Sequence, residues 1–167
     1  MEKRLASNNT DIHPDSVTYT TVINAWAQSR EKDSVPRAEE VLERLERAYR
    51  NGDVEAKPNA LTYNSIINCY AKSNSPDASD RAIKILDSMK KMSLEPDHED
   101  CHPDVVTYTS VIDALAKTGT VEGSEKAESL LEELEIKFFE TGDRKLKPNI
   151  RTYTSVSNSE TEYCAGV

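Results

Sequence analysis

Apolar residues recur along this chain at i, i+3, i+4 and i+7, in blocks that come in pairs. The first block of each pair carries Tyr19, Val22, Ile23 and Trp26, then Tyr63, Ile66, Ile67 and Tyr70, then Tyr108, Val111, Ile112 and Leu115. The second carries Ala38, Val41, Leu42 and Leu45, then Ala82, Ile85, Leu86 and Met89, then Ala127, Leu130, Leu131 and Leu134. Each block is the single apolar stripe of an amphipathic helix. The spacing predicts helices over 17–29, 36–50, 60–73, 77–92, 105–118 and 122–140, with another starting at about 150. A small residue leads every second block, which predicts a close helix–helix approach at one fixed place.

The pairs repeat. Tyr19, Tyr63, Tyr108 and Tyr153 lie 44, 45 and 45 residues apart, inside the related phrases VTYTTVINAW, LTYNSIINCY, VVTYTSVIDAL and RTYTSV. A fixed period of this length means stacked supersecondary units, each burying its stripes against the next. The expected fold is an all-α solenoid of antiparallel helix-turn-helix repeats, divided as 16–59, 60–104 and 105–149. Residues 1–15 read as the tail of a preceding unit, because they line up with 89–104. Residues 150–167 read as the start of a truncated fourth, its pattern lost and its chain irregular from about residue 157. Pro14-Asp15, Pro58-Asn59, Pro103-Asp104 and Pro148-Asn149 precede each first helix, where Asp or Asn suits the N-cap. Ser34 before Val35-Pro36 and Ser75 before Pro76 mark the starts of second helices, and Asn51-Gly52 and Thr141-Gly142-Asp143 mark helix ends.

Composition narrows the class. The 167-residue chain has 21 Lys and Arg against 30 Asp and Glu, a formal charge of −9, which argues against a broad basic face. No apolar run approaches a membrane span, and the stretch MEKRLASNNTDIHPD has no apolar h-region and is not Arg/Ser-rich, so it is not expected to be a targeting segment. Three cysteines, Cys69, Cys101 and Cys164, are too few and too odd for a disulfide framework. His98, Cys101 and His102 fall in one short inserted loop without a second ligand pair, so a solvated loop is expected there and no metal. No nucleophile–base arrangement, Gly-rich phosphate loop or HExxH stretch occurs, so neither an enzyme nor a cofactor is expected.

The run [VL]-T-Y-[NT]-[ST]-[VI]-I, four times in register behind Pro-Asp or Pro-Asn, resembles the pentatricopeptide repeat family over about residues 16–156. The units are similar to its P-type repeats but about ten residues longer, with the excess between the two helices (around SREKDSV) and after the second one. The resemblance implies a right-handed superhelix that binds single-stranded RNA, one base per repeat. It implies reading pairs made by the residue after each tyrosine and the Asp or Asn closing the unit: Thr20 with Asn59, Asn64 with Asp104, Thr109 with Asn149. By the family's pairing rules the core would be 5′-AUA-3′. Asp15 and Thr154 would be half-pairs at the two ends. Val17, Leu61 and Val106 would sandwich bases, with Arg151 in that place in the fourth unit, able to stack by its guanidinium plane. Lys72 and Lys117 would face phosphate, and Gln28 stands in their place in the first unit.

The resemblance further implies organellar RNA processing, stability or translation, in a mitochondrion or chloroplast, by a monomer that forms part of a longer array. Two other readings stand beside it. The short polar row could be solvated helix surface, although such a row would more often contain Lys or Glu. The acidic second helices, such as EKAESLLEELE at 125–135, suit contacts with proteins, and the whole chain could be a protein-binding scaffold of the tetratricopeptide kind. Small polar residues between aliphatics on the shared first-helix face would favour RNA, and aromatics and carboxylates a peptide.

Overall fold

The computed structural model describes residues 14–29, 31–73 and 75–164, with side chains as far as 158. Among the described residues seven α-helices follow one another: α1 (Ser16–Ser29), α2 (Ser34–Arg50), α3 (Ala60–Lys72), α4 (Ala78–Met92), α5 (Val105–Ala116), α6 (Val121–Thr141) and α7 (Ile150–Cys164). Among the described residues there is no strand. The bounds fall within two residues of those the apolar spacing predicts. The difference lies at the C-terminal end, where α7 runs on to Cys164 instead of losing helical form at about 157. Its first two turns are anchored by buried Thr152, Ser155 and Val156. Once nucleated, a helix propagates through polar residues that lack Gly and Pro, so an apolar stripe is not required along its whole length.

The helices stack in two layers. α1, α3, α5 and α7 pack consecutively, and α2, α4 and α6 each pack on the first helix of their own pair and on that of the next. Ile23, Ile66, Ile67, Val111 and Ile112 are fully buried between the first helices, and Leu45, Leu86, Met89 and Leu134 between the layers. Ala38, Ala82 and Ala127 are fully buried too, as the small residue at that place predicts. The tyrosines depend on position. Tyr63 and Tyr108 are buried, but Tyr19 is half-buried and Tyr153 is 46% exposed, since no described helix packs beyond α7.

Polar links hold the outer layer in register. Arg81 on α4 reaches Glu39 on α2 at 2.6 Å, and Glu39 also accepts from the Tyr70 hydroxyl at 2.7 Å. Lys90 on α4 pairs with Glu133 on α6 at 2.7 Å and lies 5.6 Å from the centre of the Tyr108 ring. Burial alone would raise the Glu133 carboxyl. Hydrogen bonds from Lys90 and Tyr108, with Lys137 beside them, overcome this and hold it below the usual range.

The excess length per unit takes a definite form. Short 3-10 turns at Val54–Ala56, Pro96–Cys101 and Arg144–Leu146 follow the three second helices. Each places one residue, Ala56, Cys101 or Leu146, three positions before the next helix N-cap and against the core. The expected solvated loop is solvated at Asp97, Glu99, Asp100 and His102, but it turns inward at Cys101 and partly at His98. Cys101 is fully buried, with its thiol donating to the Pro58 carbonyl at 3.4 Å, and His98 meets the Tyr49 ring edge-on. Burial pushes the Cys101 thiol up to about 11, which keeps it protonated and unsuited to a metal. Among the described residues no group of three His, Cys, Asp or Glu could hold a metal ion, and no helix is long and apolar enough to cross a membrane.

Ser34 lies inside α2 and Asp33 takes the N-cap position; α4 likewise starts after Asp77, with Pro76 outside the helix. Ser75 bonds Asp77 at 2.5 Å instead of capping the helix.

Candidate nucleic-acid interface

Each first helix begins the same way. Asp15, Asn59, Asp104 and Asn149 accept, through Oδ1, the backbone N–H of the threonine three residues on, at 2.8, 3.1, 2.9 and 3.2 Å. At α3 and α5 the threonine hydroxyl answers with a bond to the cap's own N–H, completing a capping box. Such caps stabilise a helix by about 0.5–2 kcal/mol. The Asp/Asn row thus has a structural task that occupies one side-chain oxygen. The other heteroatom, Nδ2 of an asparagine or Oδ2 of an aspartate, is left for another partner.

The residues after the tyrosines are not a solvated row. Thr20, Asn64 and Thr109 are buried where one first helix meets the next; only Thr154, on α7, is exposed, its hydroxyl donating to the Ile150 carbonyl at 2.8 Å. Each buried member reaches the cap that closes its unit. Asn64 Nδ2 donates to Asp104 Oδ1 at 3.3 Å. Thr20 Oγ1 lies 2.8 Å from Thr62 Oγ1, which lies 3.3 Å from Asn59 Oδ1. Thr109 Oγ1 lies 2.9 Å from Thr152 Oγ1, which lies 3.4 Å from Asn149 Oδ1. All three expected pairs, about 40 residues apart in sequence, are brought into one local network each. Asp15 bonds locally to Thr18, which holds its carboxyl below the usual range.

The threonines that join these networks, Thr62, Thr107 and Thr152, escape a reading based on apolar stripes. The signal for them is the Thr-Tyr step present in all four phrases.

Two residues before each tyrosine, the aliphatics stand open. Val17 is 70%, Leu61 62% and Val106 53% exposed, large apolar groups presented to solvent once per unit beside the polar networks. Arg151 is also exposed, and its guanidinium pairs with Asp113 on α5 at 2.9 Å, while Asp113 also accepts from the Ser155 hydroxyl. Lys72 donates to Gln28 Oε1 at 3.0 Å, so the cation and the amide that stand in equivalent places of neighbouring units touch. Lys117 closes α5, and both lysines line a cleft of about 810 Å³ and a second of about 360 Å³, where Arg151 and Asp113 join them. Standing at helix C-termini, they also complement the helix dipoles.

Two family comparisons bear on this arrangement. A pentatricopeptide repeat domain matches residues 6–73, and the PPR repeat matches 61–94 and 106–137. The chain belongs to the pentatricopeptide repeat family. Such repeats mark an RNA-binding helical-repeat protein in general, in a family that is typically organellar and generally non-enzymatic. The two PPR repeat matches leave out 95–105, the segment holding the Pro96–Cys101 turn, and end before α6 does. In these two units the short connection between the paired helices lies within the match, so their excess sits after the second helix, not between the two. No curated protein matches the chain.

Asp113 neutralises Arg151, the arginine among the candidate contacts. Asp113→Asn removes the charge and releases Arg151. Binding of a short single-stranded RNA at low salt, read by fluorescence anisotropy, is expected to strengthen by about threefold to tenfold, the scale of one phosphate or stacking contact by a freed cation. Unchanged or weaker binding would show that the pair does not compete with RNA.

Proposed function

We propose that this chain binds single-stranded RNA with sequence preference, one base per repeat, through the units 16–59, 60–104 and 105–149. The observation that carries this reading is the recurrence of one network three times: a short polar residue and a capping Asp or Asn brought together beside an exposed aliphatic. A base seated between Val17 and Leu61, or between Leu61 and Val106, would cover apolar surface that is otherwise open to water. Its pairing edge would meet the cap's spare heteroatom and the reader beside it. Thr20 with Asn59 reads adenine, Asn64 with Asp104 uracil, and Thr109 with Asn149 adenine, for a core 5′-AUA-3′. Asp15, Thr154 and Arg151 extend the row at its ends, and Lys72 and Lys117 meet phosphate. The setting is organellar RNA processing, stability or translation, with the acidic second helices left free for proteins and the chain acting as a monomer.

Stacking contributes about 1–3 kcal/mol per base, so three bases give roughly 3–9 kcal/mol before ordering costs, a Kd from millimolar to micromolar at best. The test is anisotropy with RNA containing AUA against variants with each base changed. Preference for AUA is expected. With two lysines engaged, log Kd should change with log salt by a slope of only about 1–2. Binding without base preference would overturn the assignment. No RNA retention at low salt would turn the reading toward a protein-binding scaffold.

A further inference from the structure

The three reader networks share a member that no base would touch. Thr62, Thr107 and Thr152 are fully buried, and each has its hydroxyl between the reader of the preceding unit and the cap of its own helix. A hydroxyl carries one proton and needs one acceptor. Each cap Oδ1 is already fixed as an acceptor by the backbone N–H of that same threonine. Each cap N–H also donates to the threonine oxygen, at 3.5, 3.1 and 3.3 Å. The hydroxyl proton must therefore point either at the cap or at the reader, and the choice is constrained by what the reader is.

We propose that this buried threonine is a positioning residue that sets which hydrogen-bonding face each reader shows to a base; this rests on the RNA reading above. Where the reader is threonine, the run Thr20 O–H to Thr62, then Thr62 O–H to Asn59 Oδ1, gives each proton an acceptor. The Thr109–Thr152–Asn149 run is the same. The reader oxygen is then left as an acceptor and the asparagine Nδ2 as a donor, the complement of adenine's N6–H and N1. Where the reader is asparagine the direction reverses. Thr107 O–H donates to Asn64 Oδ1 at 2.6 Å, shorter than its 3.0 Å separation from Asp104 Oδ1. That bond fixes the Asn64 amide with Nδ2 toward Asp104. What remains is an amide N–H as donor and Asp104 Oδ2 as acceptor, the complement of a uracil carbonyl and N3–H. One buried hydroxyl thus serves both specificities by turning its proton.

The experiment has an arm without RNA and an arm with it, both on the full chain. In RNA-free protein, the hydroxyl protons of Thr62, Thr107 and Thr152 should be visible by NMR in slow exchange with water. In binding, wild type, Thr107→Val and Thr107→Ser are compared on AUA and on RNAs changed at each base. Wild type should discriminate at the middle base by about tenfold, the scale of one good polar pair. Thr107→Val should bring that ratio close to one while the ratios at both flanking adenines hold within about twofold, and Thr107→Ser should restore it. A merely structural threonine would weaken all RNAs alike with ratios intact, and that result would overturn the proposal. If Thr107→Val does not fold, Thr62→Val takes its place, read at the first adenine. Preference for AUA with freely exchanging hydroxyls would remove the relay alone. Protected hydroxyls with no base preference in wild type would remove the base reading and the relay's role with it.

Discussion

Ile66→Ala is expected to lower stability by about 2–5 kcal/mol, the cost of deleting a buried aliphatic and leaving a cavity. For a chain of this size that corresponds to a loss of roughly 5–15 °C in Tm. Ile66 is fully buried in α3, which packs on α1, α2, α4 and α5, so no single neighbour can move in to fill the space. Val22 stands at the same place in the first unit, three residues after its tyrosine, and is 40% exposed. Val22→Ala should therefore change stability by no more than about 0.5–1 kcal/mol, as a partly exposed substitution does. Thermal unfolding followed by circular dichroism gives both numbers. The contrast matters because a solenoid's stability is a sum of units and the interfaces between them. Equal losses at the two positions would mean that the interface between α1 and α3 does not distinguish them, contrary to the packing. A Tm for Ile66→Ala within about 2 °C of wild type would remove the central position assigned to α3.

Val22 and Ile66 also show how far the sequence reads. Their shared place in the apolar stripe marks both as core, and the period of 3.6 finds every helix because each buries one face. Burial itself depends on how many neighbours a unit has, which no single stripe carries, so Tyr19 and Tyr153 are less buried than Tyr63 and Tyr108. The 3-10 turns are too short to show a period, and Cys101 in one of them reads as loop while lying in the core. Each reader and its cap were legible from the family resemblance, since both sit at fixed places in the unit. The threonine between them was not. Thr20 and Thr62 are 42 residues apart and Arg151 and Asp113 are 38 apart, and only the register of stacked first helices brings them together. That register also changes what an exposed-looking position means: the polar residues after the first three tyrosines, Thr20, Asn64 and Thr109, face the next first helix before they face solvent.

The middle unit offers the sharpest test of that register. Asn64→Thr together with Asp104→Asn should move the middle preference from uracil to adenine. The change rebuilds there the set already present in its neighbours, a threonine reader, Thr107 between, and an asparagine cap. The fold should tolerate it, because Asn and Asp cap helices about equally well and the substituted cap keeps an Oδ1 for the Thr107 N–H. Thr107 would then turn its proton from the reader to the cap, as Thr62 and Thr152 do. With about tenfold discrimination in each direction, the ratio of AUA to AAA binding should swing by about a hundredfold, or roughly 2.7 kcal/mol. The ratio is the quantity to measure, since removing the Asp104 charge is also expected to raise affinity for every RNA by lessening repulsion of phosphate. Asp104→Asn alone would keep the Asn64 amide beside a cap that can now donate, and should blur the middle preference without reversing it. A double variant that still prefers uracil would show that Asn64 and Asp104, though 3.3 Å apart, are a helix cap and its neighbour and nothing more.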